Sequence, residues 1–320
     1  LLRLTFERFL PICPVGNIYI VTNEAYRDLV KQHLPELDDR QIIGEPSRNN
    51  TAPCIAYTAL KLSGLNPDGN MIVSPADHVV LKEAAFHEKI KQALDFAGTH
   101  DALLTLGIRP TRVDTGYGYI QFEKEQQNGV HKVARFTEKP DTDTARKFVE
   151  SGDYLWNAGI FIWSLRSIQQ AFERLAPQIY NLLSPGQPVF NTPGETAFIQ
   201  KHYPNTPDIS IDFAIMEKAP NVYTLPAEFG WSDLGTWASL HAECPKDDQG
   251  NVLQGAHIIS LDTRDCLVRA ADEKLVVVKD LQGYMVVDEP DVLLIYPKSK
   301  EQEIKQLRGQ VERRFGEKFI

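Results

Sequence analysis

The chain has 320 residues, a formal net charge of −9, 42% hydrophobic and 24% charged residues, a globular composition with room for one large and one small domain. The acidic balance argues against sequence-independent nucleic-acid binding, which needs a basic face. No run approaches the roughly 18 apolar residues of a membrane span, and no secretion signal is visible.

A phosphate ligand stays open, because a few cationic side chains, backbone amides and a metal ion can hold phosphates on an acidic protein. Cys13, Cys54, Cys244 and Cys266 are far apart and form no CxxC pair. They read as free thiols of a cytoplasmic protein rather than a zinc site. Cys54 reads as a core residue rather than a nucleophile.

In chain order, "NIYIVTN" (17–23) predicts a strand and "EAYRDLVKQHL" (24–34) an amphipathic helix. "QII" (41–43) predicts a short strand and "TAPCIAYTALKLSG" (51–64) a helix stopped at Gly64. "NMIVSP" predicts a strand, 82–98 a helix, and "ALLTLGI" (102–108) another strand. Alternating strands and helices, with several strands apolar throughout, predict a parallel sheet covered on both faces. Such sheets bind ligands beyond the carboxyl ends of their strands.

Five clusters carry candidate chemistry. "EPSRNNTAPC" (45–54) opens a helix with Pro53 in its first turn. Free first-turn amides and Asn side chains can bind a base edge or a phosphate, though an ordinary capped loop has the same spacing. In "SPADHVV", Asp77 ends an apolar strand, either at a ligand rim or as a cap. In "DTGYGYI" (114–120), Gly116 and Gly118 let backbone approach a ligand, and a β-bulge explains them equally well.

In "FTEKP" (136–140), Glu138 and Lys139 would point to opposite faces of a strand but can both reach a site at a strand end. Asn157 and Gly159 interrupt the apolar "YLWNAGIFIW", and Asn157 needs a hydrogen-bond partner, from ligand or backbone. Asp233 in "FGWSDLGTW" repeats the setting of Asp77. Two such carboxylates converging on one rim would suit Mg2+.

From about 250 the texture becomes short β-rich runs between Gly, Asp and Asn turns, a small β-helix-like appendage. Residues 298–315 read as a charged C-terminal helix, and 245–251 as a linker. The expected domains are 1–244 and 250–320.

In this order, "EPSRNNTAPC", "SPADH", "GYGYI", "FTEKP", "WNAGIF", "SIDFAIMEK" and "GWSDLGTW" resemble the motifs of the sugar nucleotidyltransferases, specifically the guanylyl-transferring branch. The resemblance covers about residues 45 to 237, and seven motifs in order are specific. It implies a Rossmann-like domain with a mixed, mostly parallel sheet and a small C-terminal left-handed β-helix-like domain. It implies transfer of GMP from GTP to mannose 1-phosphate. The alternatives are another sugar 1-phosphate or nucleotide, or a catalytically inactive nucleotide-sugar binding protein.

By resemblance, Asp77 and Asp233 hold Mg2+, and Arg48, Asn50, Thr51 and Ala52 belong to the base-reading loop. Gly116 lies over sugar and nucleotide; Glu138, Lys139, Asn157 and Gly159 face the sugar phosphate; Lys139 is counted with Asp77 and Asp233 as catalytic. His78 reads as structural, and Asp212 as a motif residue with little part in direct contact. Two departures stand out. The family carries Arg directly before "NTAP", where this chain has Asn49 preceded by Arg48. Its phosphate-binding G-G-x-G-x-R loop would lie before Leu1, with "LLRLTFERF" the following helix. A homodimer is expected, through the β appendage and C-terminal helix.

Overall fold

The structure is a computed structural model that describes residues 1–234, 237–271 and 273–319. The chain forms two compact units, Leu1–Trp231 and Ser232–Ile320. The stretch 245–251 lies inside the second.

The first unit begins α1 (Leu2–Phe9), β1 (Ile20–Asn23), α2 (Arg27–His33), β2 (Ile42–Glu45), α3 (Thr51–Ser63), β3 (Asn70–Val73), β4 (Val79–Val80), α4 (Glu83–Ala97) and β5 (Leu103–Ile108). It continues β6 (Tyr119–Gln127), β7 (Val130–Thr137), α5 (Thr142–Ser151), β8 (Tyr154–Ser164), α6 (Leu165–Leu175), α7 (Pro177–Leu183), α8 (Glu195–His202) and β9 (Val222–Ala227). The helix expected over 24–34 is a 3-10 turn, Glu24–Tyr26, followed by α2, because Asn23 caps the turn by accepting from Ala25 N.

The central sheet has the order β3-β8-β5-β9-β7-β6. β3, β5, β6 and β9 run one way, and β7 and β8 run against them. The direction is therefore mostly shared, but inserting the reversed strands makes most neighbouring ladders antiparallel. β1 and β2 form a separate parallel pair.

Successive side chains on one strand serve opposite faces. Leu103, Phe161 and Trp163 pack with α3, α6 and α7 through Ile55, Leu60, Ile168 and Ile179. Leu104, Leu106, Ile160 and Ile162 pack on the other face with Phe86 and Ile90 of α4 and Ala145 and Phe148 of α5. The sheet is covered on both faces, as its apolar strands require. Helix starts follow local chemistry: Asp141 accepts from Thr144 N at 2.8 Å to cap α5, and Ser164 Oγ accepts from Ser167 N at 3.0 Å to cap α6. No described helix is long and apolar enough to cross a membrane.

In the second unit, α9 (Trp237–Glu243) precedes β10 (Val252–Gln254), β11 (Ile258–Leu261), β12 (Leu267–Arg269), β13 (Val276–Lys279), β14 (Tyr284–Asp288) and β15 (Leu293–Pro297). β10, β12 and β14 stack parallel, with Val252, Leu267 and Met285 in register. β11 and β13 stack parallel beside them, and Arg264 bridges to Gln282 in the same sense. Val252, Leu267, Met285 and Val287 form one buried cluster of this unit. The C-terminal segment is a 3-10 turn, Lys298–Glu303, leading into α10 (Ile304–Phe315).

Candidate functional site

β3 stops at Val73, opposite Phe161 of β8. β8 runs on past it, and Asn157 stands beyond that end, opposite Gly107. There β6 begins, with Tyr119 paired to both Trp156 and Thr137, the last residue of β7. The rim thus gathers the end of β3, the middle of β8, the start of β6 and the end of β7.

The register between β5 and β8 jumps from Thr105↔Phe161 to Gly107↔Asn157. Gly159, in this bulge, has φ +68°, a left-handed backbone that suits Gly. A Cβ there would come within 3.5 Å of Pro75 Cγ and 3.8 Å of His78 Cε1, so β8 lies directly against the Asp77 loop.

The bulge re-aims Asn157, whose side chain is satisfied by protein groups. Its Oδ1 accepts from Thr105 Oγ1 at 2.8 Å and from Gly159 N at 3.1 Å, and its Nδ2 donates to Asp212 Oδ1 at 3.0 Å. This answers the cost of a polar residue in an apolar strand. One Nδ2 hydrogen remains without a partner among the described residues.

Glu138 and Lys139 follow the last residue of β7. Lys139 has φ +46°, and this turn brings the two side chains together, with Nζ 2.8 Å from Glu138 Oε1. The Glu138 side chain is 9% exposed and that of Lys139 57%. Glu138 Oε2 packs so closely on Gly118 that a Cβ would meet it at 2.4 Å. Glu138 N donates to Glu217 Oε1 at 3.1 Å. Burial, then the nearby Glu138 charge, push the Asp212 carboxyl up to about 6, with Lys139 pulling the other way.

Gly116 occupies no strained backbone; its N–H is held by Asp114 Oδ1 at 2.8 Å. The buried Asp114 also pairs with Arg112 at 2.9 Å. The Arg112 guanidinium lies 5.2 Å over Trp156 and 5.8 Å over Tyr117. This clamp on the glycine loop was not anticipated from the sequence. An Arg-x-Asp pair just before the Gly-Tyr-Gly was its only local signal.

The 45–52 loop is docked on residues 203–211. Asn49 is buried, and its amide donates to Tyr203 O, Thr206 O and Thr206 Oγ1 at 2.8–3.2 Å. Asn49 is thus a structural residue. Arg48 instead contacts the Tyr26 hydroxyl at 3.1 Å. The first-turn amides of α3 are partly used: Asn50 Oδ1 accepts from Thr51 N at 3.0 Å and Ile209 O from Ala52 N at 3.1 Å. Thr51 Oγ1 accepts from Ile211 N at 2.8 Å. Asn50 itself takes φ +65° at the helix cap. Burial pushes the Cys54 thiol up, which keeps it protonated and unreactive.

The Asp77 side chain is 76% exposed and 3.8 Å from His78 Nε2. His78 is held from behind: its Nδ1 accepts from Trp231 Nε1 at 3.1 Å, which leaves Nε2 as the protonated nitrogen of the neutral ring. Asp233 stands at the start of the second unit, half-buried, just before Leu234, which has φ +48°. Gly235 and Thr236 of its motif lie outside the described residues. Among the described residues no group of three or more His, Cys, Asp or Glu side chains could hold a metal ion. An exposed carboxylate such as Asp77 still suits a hard cation that takes one or two protein oxygens. A cleft of about 420 Å³, lined by Arg27, Tyr57, Lys61 and Glu195 among others, contains none of these rim residues.

The fold is a layered α/β unit whose sheet rim gathers a lysine, carboxylates and a positioned amide, groups suited to phosphate and hydroxyl ligands. Residues 13–250 match the family described as Nucleotidyl transferase, and the chain belongs to that family. It is 36% identical over 295 residues to the alginate biosynthesis protein AlgA of Pseudomonas syringae pv. tomato, covering 90% of this chain and 60% of that one. It is 33% identical over 299 residues to the mannose-1-phosphate guanylyltransferase of Klebsiella pneumoniae, covering 90% and 62%. The chain thus spans about 60% of the length of these curated relatives. A Thermus thermophilus structure titled mannose-1-phosphate geranyltransferase superposes with a TM-score of 0.84 at 28% identity, over 97% of this chain and 89% of that one.

Proposed function

We propose that the chain transfers GMP from GTP to α-D-mannose 1-phosphate, giving GDP-mannose and pyrophosphate. The observation that carries this is the gathering of Glu138, Lys139 and Asn157 at one rim, in a chain of the nucleotidyl transferase family. The names of the relatives support the sugar and the base.

The attacking group is a phosphate oxygen of the sugar phosphate, already ionised near neutral pH, so no strong general base is needed. The protein's work is to align this oxygen with the α-phosphorus of GTP and to offset charge. Lys139, the more exposed partner of its ion pair, holds the sugar phosphate. Glu138 accepts from sugar hydroxyls, and Asn157 offers its remaining N–H. Gly116 and Gly118 pass beside the sugar and nucleotide, and Gly159 keeps β8 against the Asp77 loop. Arg48, Asn50 and Thr51 face the base through groups that the 203–211 segment leaves available, and Ala52, whose N–H is taken by Ile209 O, adds apolar contact.

Asp77 and Asp233 would hold Mg2+, which when bound neutralises charge on phosphate oxygens. A site built to pair with hydroxyls rejects sugars that lack them. We further propose a cytoplasmic homodimer, with the parallel strands of the second unit as a short left-handed β-helix at its interface. Ile259, Leu261 and Val277, which lie exposed on two of those strands, support that placement.

The test is pyrophosphate release with Mg2+ from GTP, ATP, UTP and dTTP, each with mannose 1-phosphate and glucose 1-phosphate. Release confined to GTP with mannose 1-phosphate is expected. Release with another pair would reassign the substrate and keep the transfer. No release with any pair would leave a nucleotide-sugar binding protein.

A further inference from the structure

Asp212 has no role in the mechanism above, yet its setting is built in detail. It opens a π turn, Asp212–Met216, in which Glu217 N donates to Asp212 O at 2.9 Å. Such turns are uncommon and are frequent at functional sites. This one sets two carboxylates toward the rim: Glu217 accepts from Glu138 N, and Asp212 accepts from Asn157 Nδ2. Three residues earlier the same segment holds the base loop, through Ile209 O and Ala52 N.

The Asn157 amide has two ends and can turn over. In the orientation present, Oδ1 meets two donors, the Thr105 hydroxyl and Gly159 N, and Nδ2 meets the Asp212 carboxylate. Turned over, its oxygen would face a carboxylate and its NH2 would face the Gly159 N–H, which would lose its acceptor. The Thr105 hydroxyl, whose hydrogen can go to Ile160 O at 3.2 Å, suits either orientation, so the carboxylate and the Gly159 N–H decide. Each such mismatch costs a buried hydrogen bond.

We infer that Asp212 is a positioning residue of the sugar-phosphate subsite: it fixes the Asn157 amide so that an N–H, not the oxygen, is left for the ligand. The hexose 1-phosphate oxygen met by Asn157 is therefore an acceptor. The inference rests on reading Glu138, Lys139 and Asn157 as that subsite.

The experiment is steady-state kinetics on the wild type, Asp212→Ala, Asp212→Asn, Asn157→Ala and the double variant Asp212→Ala/Asn157→Ala. Asp212→Ala should raise KM for the sugar phosphate about tenfold, near the worth of one hydrogen bond, with KM for the nucleotide within about twofold. Asp212→Asn keeps an oxygen that accepts from Asn157 and should stay within about twofold of wild type. The double variant should be no worse than Asn157→Ala, because Asp212 acts through that side chain.

Equal damage from Asp212→Asn and Asp212→Ala would overturn the inference, and so would additive effects of Asp212→Ala and Asn157→Ala. If the wild type uses a different sugar 1-phosphate, the series is run on that sugar, and the same pattern upholds the positioning role while the proposed substrate falls. If nothing turns over, calorimetric binding of mannose 1-phosphate and glucose 1-phosphate replaces KM. Weakening by Asp212→Ala with rescue by Asp212→Asn supports the inference, and no binding to the wild type overturns it.

Discussion

Glu138 Oε2 lies 2.4 Å from where a Cβ on Gly118 would be. The glycine at the start of β6 thus makes room for a carboxylate carried at the end of β7. Glu138 is in turn tied to Lys139 at 2.8 Å and, through its backbone, to Glu217. A methyl group on Gly118 must displace that carboxylate and the lysine with it.

Gly118→Ala should therefore lower kcat/KM for the sugar phosphate by about 100-fold, the scale of an ångström-sized misplacement at a reacting centre. The thermal midpoint should move little, since the added group meets the far end of a side chain. Steady-state kinetics and calorimetry check this together. Wild-type kinetics would mean that Glu138 has no part in the site.

Asp212 gives a pH signature. Its carboxyl is held at about 6, above its usual 3.8, chiefly by burial. A raised carboxyl binds its proton more tightly when folded than when unfolded, so the folded state gains stability as pH falls from about 6 toward 4 and carries the cost above 6. Asp212→Asn removes that cost. Its thermal midpoint should exceed wild type at pH 8, and the difference should narrow at pH 5. A difference that is constant across pH would contradict the raised carboxyl.

Lys61 and Glu195 form a buried pair, 2.6 Å apart, between α3 and α8. Tyr57 Oη and Asn191 N also donate to Glu195. Lys61→Met leaves that carboxylate with neutral donors alone and should cost about 3 kcal/mol. Urea unfolding at pH 7.5 measures it. The pair lies away from the rim, so kcat of the folded fraction should not change. A loss below about 1 kcal/mol would place the pair in the range of solvated surface bridges.

The Asp77 side chain is exposed, so removing its charge should spare the fold. Asp77→Asn should lower turnover on the order of 100-fold, as expected when the hold on an ion that offsets charge on the phosphate oxygens is weakened. It should also raise the Mg2+ concentration needed for half-maximal rate. Unchanged Mg2+ dependence would remove the metal role of Asp77.

Much of this was legible in the sequence. The apolar "ALLTLGI" became β5, and the residues after Gly-Asn-Met-Ile-Val placed Asp77 past a strand end. The docking of Asn49 on Tyr203 and Thr206, and of Asn157 on Asp212, was not legible. These partners are 55 to 157 residues apart, and periodicity reports only what one element does with its own neighbours. The turn that brings Lys139 onto Glu138 was also hidden, because a left-handed lysine breaks the local rule that reads Gly there. Asp212 read as peripheral for the same reason: its meaning lies in a residue on β8.

In the proposed reaction a sugar phosphate attacks the α-phosphorus of GTP. The most direct measurement is 31P NMR of the wild-type protein with GTP, mannose 1-phosphate and Mg2+, the sugar phosphate carrying 18O in its non-bridging oxygens. GDP-mannose and pyrophosphate should form in equal amounts, with 18O shifts on the phosphorus next to mannose and, through the bridging oxygen, on the phosphorus next to guanosine, and none on pyrophosphate. Inorganic phosphate with GDP, or no consumption of mannose 1-phosphate, would contradict it.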